Sequence, residues 1–411
     1  MCGINGIISK DKNKDKLIKS MNEKILHRGP DAEGIFVEGD VALGQRRLSI
    51  IDLAGGNQPI YNEDKSILIM YNGEVYNYKE LKEELTEYKF ETESDTEVVL
   101  HGYEKWGHDL PKKLRGMFAY AIYDKNKGEI FISRDQFGIK PLYYYHDGDT
   151  ILFGSEIKSF LAYPKFKKVL NKELLGAYLT FSFTPTDETF FKGVYRLPSG
   201  HSMTIDVKKR KIKIDRYFKV EFGNTDKSFD EVVEDISTAM KDSTEHHLIS
   251  DVEVGSFLSS GVDSSYLVSL AKPDKTYTIG FDLAKYSEID YAKDLTDKLN
   301  IKNISEKISK EEYMNALSEV YYHMDEPTAD GCAIAVYFLS RLASKDVKVV
   351  LSGEGADEFF GGYNSYDDNF YTKLPFFIRK SMASICKILP KNKITRYIIR
   401  RGLPLEESYV S

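Results

Sequence analysis

Val254-Gly255-Ser256-Phe257-Leu258-Ser259-Ser260-Gly261-Val262-Asp263-Ser264-Ser265 reads as an apolar strand that stops on small polar residues and continues as a helix. Small residues let such a loop fold tightly, and N–H groups and hydroxyls at a helix start cradle an anion. The bland alternative is a serine-rich loop with Asp263 as a cap. Outward from this point, strand-like segments at 252–258, 276–281, 301–308 and 347–351 alternate with helical patterns at 229–247, 264–271, 288–299, 310–323 and 333–344. The alternation predicts an α/β domain with a doubly wound parallel sheet.

The last of these strands runs into Ser352-Gly353-Glu354-Gly355-Ala356-Asp357-Glu358. Asp263 and Asp357 are thus both expected past the carboxyl ends of parallel strands, where open α/β sheets bind ligands. Two carboxylates facing a triphosphate suit Mg²⁺. No G-x-x-x-x-G-K-[ST] occurs, and Gly353–Glu358 lacks the third glycine of a dinucleotide fingerprint, which excludes a Walker loop and a Rossmann oxidoreductase.

The amino-terminal half has a different rhythm. Strand-like runs at 3–9, 35–50 and 66–76 precede two hairpins, 118–133 through Lys125-Asn126-Lys127-Gly128 and 142–155 through His146-Asp147-Gly148-Asp149. Helices are predicted at 14–26, 78–88 and 95–106, with Ser94-x-x-Glu97 as a capping box on the last. Antiparallel sheets with helices outside are the expected α+β arrangement. The boundaries expected are 1–210 for this domain, 211–228 for a linker around Gly223-Asn224-Thr225-Asp226-Lys227, and 229–411 for the second.

With 411 residues, 42% hydrophobic and 29% charged, the chain is of ordinary globular composition, and its net charge of −7 argues against nucleic acid as a partner. No apolar run approaches the ~20 residues that span a bilayer, so no membrane partner is expected. The three cysteines, Cys2, Cys332 and Cys386, show no disulfide or zinc spacing, and a reducing cytoplasm is the expected location.

Cys2 directly follows Met1. Once Met1 is removed, Cys2 carries its own α-amine, with an ordinary pKa of about 8, so nucleophile and base share one residue. His27-Arg28-Gly29-Pro30-Asp31 is a rigid polar turn. In Arg47-Leu48-Ser49-Ile50-Ile51-Asp52 the arginine sits at a strand end, suited either to a carboxylate or to a surface ion pair. Asn72-Gly73-Glu74 offers an amide and an N–H for an oxyanion, or simply a turn. Asp95 suits a substrate ammonium or the start of a helix.

Together with Arg134-Asp135 and Gly138-x-Lys140-Pro141-Leu142-Tyr143, these segments resemble the class II, N-terminal-nucleophile glutamine amidotransferases. The resemblance implies catalysis by Cys2, with Asn72 and Gly73 as the oxyanion hole and Arg47, Glu74 and Asp95 gripping glutamine with them. Ser259–Ser264 resembles the pyrophosphate loop of the ATP pyrophosphatases. With Thr278-Ile279-Gly280-Phe281 and Asp325-Glu326-Pro327-Thr328-Ala329-Asp330, the whole chain resembles the glutamine-hydrolysing asparagine synthetase family. That implies aspartate, glutamine and ATP as substrates, an aspartyl-adenylate intermediate, Mg²⁺, and a homodimer. ATP contacts are implied for Leu258, Ser259, Gly261, Asp263, Ser264, Ile279, Ser352 and Gly353, metal contacts for Asp263 and Asp357, and acid/base work for Glu354. Amidation of a sugar or peptide carboxylate, or a glutaminase or regulatory protein with an inactive second domain, are the alternatives.

In the family the synthetase domain continues past Ser352–Glu358 and supplies a lysine to the adenylation step, with no counterpart before Ser411. The second domain is therefore expected to be incomplete. Gly331-Cys332 stands where the family more often has Pro-Ser. Residues 369–405 hold nine Lys and Arg and no acidic residue, read as a helical layer that packs on further chain or, alternatively, a membrane surface.

Overall fold

The computed structural model describes residues 1–282, 287–328, 331–363, 371 and 373–403. Ala329, Asp330 and Pro404–Ser411, which carry parts of the motifs above, lie outside them.

The first half runs β1 (Gly3–Ile8), α1 (Lys14–Lys24), β2 (Ala32–Glu38), β3 (Val41–Arg47), β4 (Ile60–Tyr61), β5 (Ile67–Val75), α2 (Tyr78–Glu84) and α3 (Asp95–Trp106). It continues with β6 (Gly116–Asp124), β7 (Glu129–Arg134), β8 (Tyr143–His146), β9 (Ile151–Gly154), α4 (Leu175–Phe181), β10 (Val194–Arg196), β11 (His201–Asp206) and β12 (Lys211–Arg216). Two sheets result, in the orders β10-β8-β9-β1-β3-β2 and β12-β11-β7-β6-β5-β4. Their pairings are antiparallel.

Strand periodicity explains the layering. Successive side chains on a strand point to opposite faces. On β6, Ala119 and Ala121 join a core with Ile4 and Ile8 of β1 and Leu68 and Met70 of β5. The intervening Phe118, Tyr120 and Ile122 pack with Val98, Val99 and Tyr103 of α3 and Leu81 of α2. Ile7, on the other face of β1, meets Ile18 and Met21 of α1. The order is therefore helix, sheet, sheet, helix. Each fully buried aliphatic or aromatic side chain contributes roughly 1.5–3 kcal/mol.

The expected hairpins and helices are present, with two differences. Residues 211–216, assigned to the linker from sequence, form β12 and pair with β11 from His201↔Arg216 to Asp206↔Lys211. Alternating Lys211, Lys213 and Asp215 on this strand read as solvated linker because only one of its faces is covered. Ser94 caps α3 by accepting from Thr96 N–H, but the expected capping box is absent. The Glu97 carboxylate turns back to accept from the N–H groups of Glu91 and Thr92 and the Thr92 hydroxyl.

The second half adds α5 (Phe229–His247), β13 (Val254–Phe257), α6 (Val262–Ala271), β14 (Lys275–Phe281), α7 (Ile289–Leu299), β15 (Lys302–Ile308), α8 (Lys310–Met324), α9 (Cys332–Ala343) and β16 (Val349–Leu351). The sheet is parallel, in the order β15-β14-β13-β16. One face buries Tyr277 and Ile279 against Val320, Ile334 and Phe338 of α8 and α9. On the other face Leu258 packs with Val268 of α6 and Ala292 of α7. Ser309 and Glu312 make a full capping box that fixes the start of α8.

Residues 1–175 and 186–352 make one compact unit, and 176–185 with 353–411 a second. The second unit holds α10 (Ala356–Phe360), α11 (Phe376–Cys386) and α12 (Lys393–Arg401). Within it, α11 and α12 are tied by Arg379, which donates to the carbonyls of Leu374 and Arg401.

Candidate active site

One cavity of about 380 Å³ collects Cys2, Arg47, Asn72, Gly73, Glu74 and Asp95. These six come from the start of β1, the end of β3, the end of β5 and the start of α3. The β1–β3 register, Gly3↔Arg46, puts Cys2 beside Leu48. Its Sγ lies 3.5 Å from the Leu48 carbonyl and 3.4 Å from the Leu48 nitrogen, which donates to it. The Cys2 carbonyl accepts from Nε of Arg28 at 2.9 Å. A side chain at Gly3 would approach Arg28 Cδ to 3.0 Å, so glycine here gives Arg28 its route to Cys2.

Asn72 is buried, and among the described residues its Nδ2 has no hydrogen-bond partner. A buried amide donor left unpaired costs free energy, and it is what a site waiting for a developing oxyanion requires. Gly73 pairs with Phe118 across β5–β6. A Cβ there would fall 2.5 Å from the Met117 carbonyl oxygen and 2.8 Å from Phe118 Cα.

Glu74 is buried, and burial pushes its carboxyl up to about 7 despite the opposing charge of Lys140. Asp95 is also pushed up by burial, while the Val75 N–H and the Tyr71 hydroxyl, at 3.0 and 2.7 Å, hold its ionised form. At the amino terminus, burial pushes the Met1 ammonium down to about 5.

Arg47 lines the cavity, but its terminal nitrogens are occupied. NH1 donates to the Leu53 carbonyl and Asn57 Oδ1, and NH2 to the carbonyls of Ile51 and Asp52. In this conformation the guanidinium clamps the loop that follows β3. A fork open toward a carboxylate, the sequence expectation, is not what it presents. Nor do Arg134 and Asp135 enter the cavity. They organise the turn after β7, Arg134 donating to the carbonyls of Gly138, Lys140 and Leu197, and Asp135 accepting from four N–H groups.

Several lining residues carried no role in the sequence reading. Lys140 is buried in the wall, and burial pushes its ammonium down against the opposing pull of Glu74. Tyr71 and Gln58 support Asp95, Gln58 bracketing the Tyr71 backbone through Oε1 at 2.6 Å and Nε2 at 3.2 Å. Tyr71 was hidden in an apolar strand run, and no local signal separates it from core. The cavity wall also includes Phe257 of β13, Ser340 of α9, and Lys348, Val349 and Val350 at β16. It therefore reaches from the antiparallel sheets to the parallel one.

The loop between β13 and α6 is held by serines. Ser264 Oγ accepts from Ser259 N–H at 3.2 Å, and Ser259 Oγ accepts from Gly261 N–H at 3.1 Å. Gly261 is the N-cap of α6 and Asp263 lies exposed in its first turn. Leu258 and Ile279 are packed into opposite faces of the sheet, so the exposed part of this candidate nucleotide site is the loop itself. Ser352 belongs to the same unit, whereas Gly353, Glu354 and Asp357 belong to the second. There Glu354 is exposed and Asp357 lies in the first turn of α10, whose N-cap Gly355 adopts φ +93°.

Carboxylates in helix first turns suit a hard cation. Among the described residues no group of three His, Cys, Asp or Glu side chains gathers to hold a metal. Among the described residues no helix is long and apolar enough to cross a membrane.

Residues 1–218 match the family model of the glutamine amidotransferase domain, and 235–400 that of asparagine synthase. Over its whole length the chain is 42% identical to asparagine synthetase (glutamine-hydrolyzing) 1 of Bacillus subtilis and spans 67% of it. Over 92% of its length it is 38% identical to a putative asparagine synthetase (glutamine-hydrolyzing) 2 of Methanocaldococcus jannaschii, spanning 79%. A putative asparagine synthetase (glutamine-hydrolyzing) of Mycobacterium bovis is 37% identical over 93% of the chain, which spans 63% of that protein.

Proposed function

Because the chain belongs to the glutamine-hydrolysing asparagine synthetase family, we propose that it makes asparagine from aspartate, taking ammonia from glutamine and activation from ATP. The observation that carries this reading is the single cavity that gathers Cys2, Asn72, Gly73, Glu74 and Asp95 and is backed by β13 and β16.

In the first half-reaction the Cys2 thiol gives its proton to the α-amine freed by loss of Met1 as its sulfur adds to the side-chain amide carbon of glutamine. The amine then passes that proton to the departing nitrogen. The oxyanion forms at the unpartnered Nδ2 of Asn72 and the Gly73 backbone. Ammonia leaves, and water cleaves the thioester to glutamate. Ionised Glu74 and Asp95 hold the glutamine ammonium, and Arg47 faces its carboxylate once the loop carbonyls yield.

In the second, a side-chain carboxylate oxygen of aspartate attacks the α-phosphorus of ATP and pyrophosphate departs. Ammonia then attacks the acyl carbon, and AMP leaves. The Ser259–Ser264 loop and Ser352-Gly353 would hold the phosphates, and Glu354 would move protons at the acyl centre. By the family resemblance Asp263 and, in the second unit, Asp357 are candidate Mg²⁺ ligands, and the ion would neutralise charge on the departing pyrophosphate. Ammonia is lost by protonation in water, so the reach of the cavity to Val349 and Val350 supports direct transfer between sites.

A free thiol at Cys2 suits a reducing cytoplasm, and sedimentation would test the homodimer. Exchange of labelled pyrophosphate into ATP tests the acceptor. Exchange that requires aspartate supports the reading, and exchange that requires another carboxylate overturns it.

A further inference from the structure

α8 ends on Asp325, a non-glycine residue at φ +61°, and the chain turns there through Glu326. Both carboxylates leave the parallel-sheet region and dock on the antiparallel one. Asp325 Oδ2 accepts from Ile157 N–H at 2.6 Å, at the start of the short helix Ile157–Ala162. Its Oδ1 lies 3.0 Å from the ammonium of Lys158. Glu326 meets Arg196 at 2.7 Å and the Phe190 N–H at 3.3 Å.

Lys158 is the branch point. Its ammonium also pairs with Glu156 and donates to the His323 carbonyl at 3.3 Å. Glu156 in turn accepts from Arg28 NH1 at 2.9 Å and approaches His27 Nε2 at 3.0 Å. Arg28 Nε reaches the Cys2 carbonyl. The Lys158, Glu156 and Asp325 side chains are all at most 8% exposed. Burial alone would push the Glu156 carboxyl up, but His27, Arg28 and Lys158 outweigh it and hold it down at about 2. Alternating buried charges of this kind bind each member to its neighbours, because removing one leaves its partner uncompensated. The Glu326–Arg196 pair docks the same turn beside the Phe190 backbone rather than through Lys158.

We propose that Asp325 and Lys158 are positioning residues for Cys2, transmitting the placement of the α8 turn through Glu156 and Arg28 to the Cys2 backbone. The link runs from the synthetase half of the chain to the nucleophile. Any displacement of the turn after α8 then changes how the thiol meets its substrate. The proposal rests on the glutaminase reading of Cys2.

The test uses the full chain with Met1 removed. Steady-state glutamine hydrolysis and the rate of Cys2 alkylation by iodoacetamide, followed by peptide mass spectrometry, are measured for Lys158→Met, Lys158→Arg, Asp325→Asn and Arg196→Met. Lys158→Met and Asp325→Asn are expected to lower kcat about tenfold with KM within about twofold, since small misplacements are costly to rate. Their alkylation rates shift by about threefold or more, and Lys158→Arg recovers most of both. Arg196→Met loses thermal stability but keeps kcat and alkylation rate. Wild-type values in folded Lys158→Met or Asp325→Asn, or an equal loss in Arg196→Met, overturn the proposal. A wild-type chain that releases no ammonia, yet shows these alkylation shifts, overturns the glutaminase reading and leaves the positioning link standing.

Discussion

Arg28 and Cys2 are joined by a hydrogen bond of 2.9 Å from the guanidinium Nε to the Cys2 carbonyl. The same guanidinium holds Glu156 through NH1 at the same distance, so one planar group fixes the nucleophile's backbone against a buried carboxylate. Lysine keeps the charge but cannot span both acceptors in one plane. Arg28→Lys is therefore expected to lower kcat/KM for glutamine hydrolysis by roughly 10²-fold. Initial-rate measurements of glutamate release check this, and a loss below about threefold would separate the Arg28 bond from catalysis.

Asn72 presents a buried Nδ2 that nothing among the described residues satisfies. Asn72→Ala removes the donor without adding volume. It should reduce kcat about 10²-fold, the cost of losing one oxyanion donor, and leave KM nearly unchanged. The same variant should be no less stable than wild type, because it removes an unpaired buried amide. Kinetics and thermal unfolding together read both effects.

Glu74 gives a pH signature with a definite sign. Its folded-state pKa, about 7, lies above the ordinary 4.5, so the native state binds a proton more tightly than the unfolded chain. Its contribution to stability is fully present below pH 4.5 and is lost as pH rises through about 7. Glu74→Gln should therefore stabilise the protein at pH 8 by up to ~3 kcal/mol and change little at pH 4.5. Glutamine KM should rise in the variant, and in wild type it should rise as pH falls below 7, where Glu74 gains its proton. Denaturant titrations at the two pH values decide the first part, and a KM–pH profile the second.

Gly73 is set by crowding rather than by a turn. An added methyl would meet the Met117 carbonyl oxygen and Phe118 Cα well inside contact distance, and both are backbone atoms of the paired strand. Gly73→Ala should cost about 1–3 kcal/mol and disturb the neighbouring Asn72. Urea unfolding with unchanged m-value would confirm a local effect of that size.

Much of this fold is legible in the sequence because it is periodic. The strand Gly116–Asp124, buried on both faces, and the helical repeat in Phe229–His247, which buries only Thr244, both form where the sequence places them. β12 escapes the sequence reading because its polar residues cover one side of an edge strand. The six residues proposed for glutamine are singled out by their motifs, and one cavity brings all six together. What Arg47 touches is not legible. Its partners are loop carbonyls, and a carbonyl leaves no mark in a sequence. The Asp325–Lys158–Glu156 link is equally silent, since Asp325 lies far along the chain from Glu156 and Lys158 and meets them only once both halves fold.

Product analysis by mass spectrometry tests the central claim most directly. The protein, with Met1 removed, is supplied with glutamine, aspartate and Mg-ATP. Glutamate, asparagine, AMP and pyrophosphate should appear together, and Cys2→Ala should abolish all four. Free ammonia should then restore asparagine, AMP and pyrophosphate to that variant, but not glutamate. Glutamate without asparagine, or asparagine from glutamine in Cys2→Ala, would contradict the account.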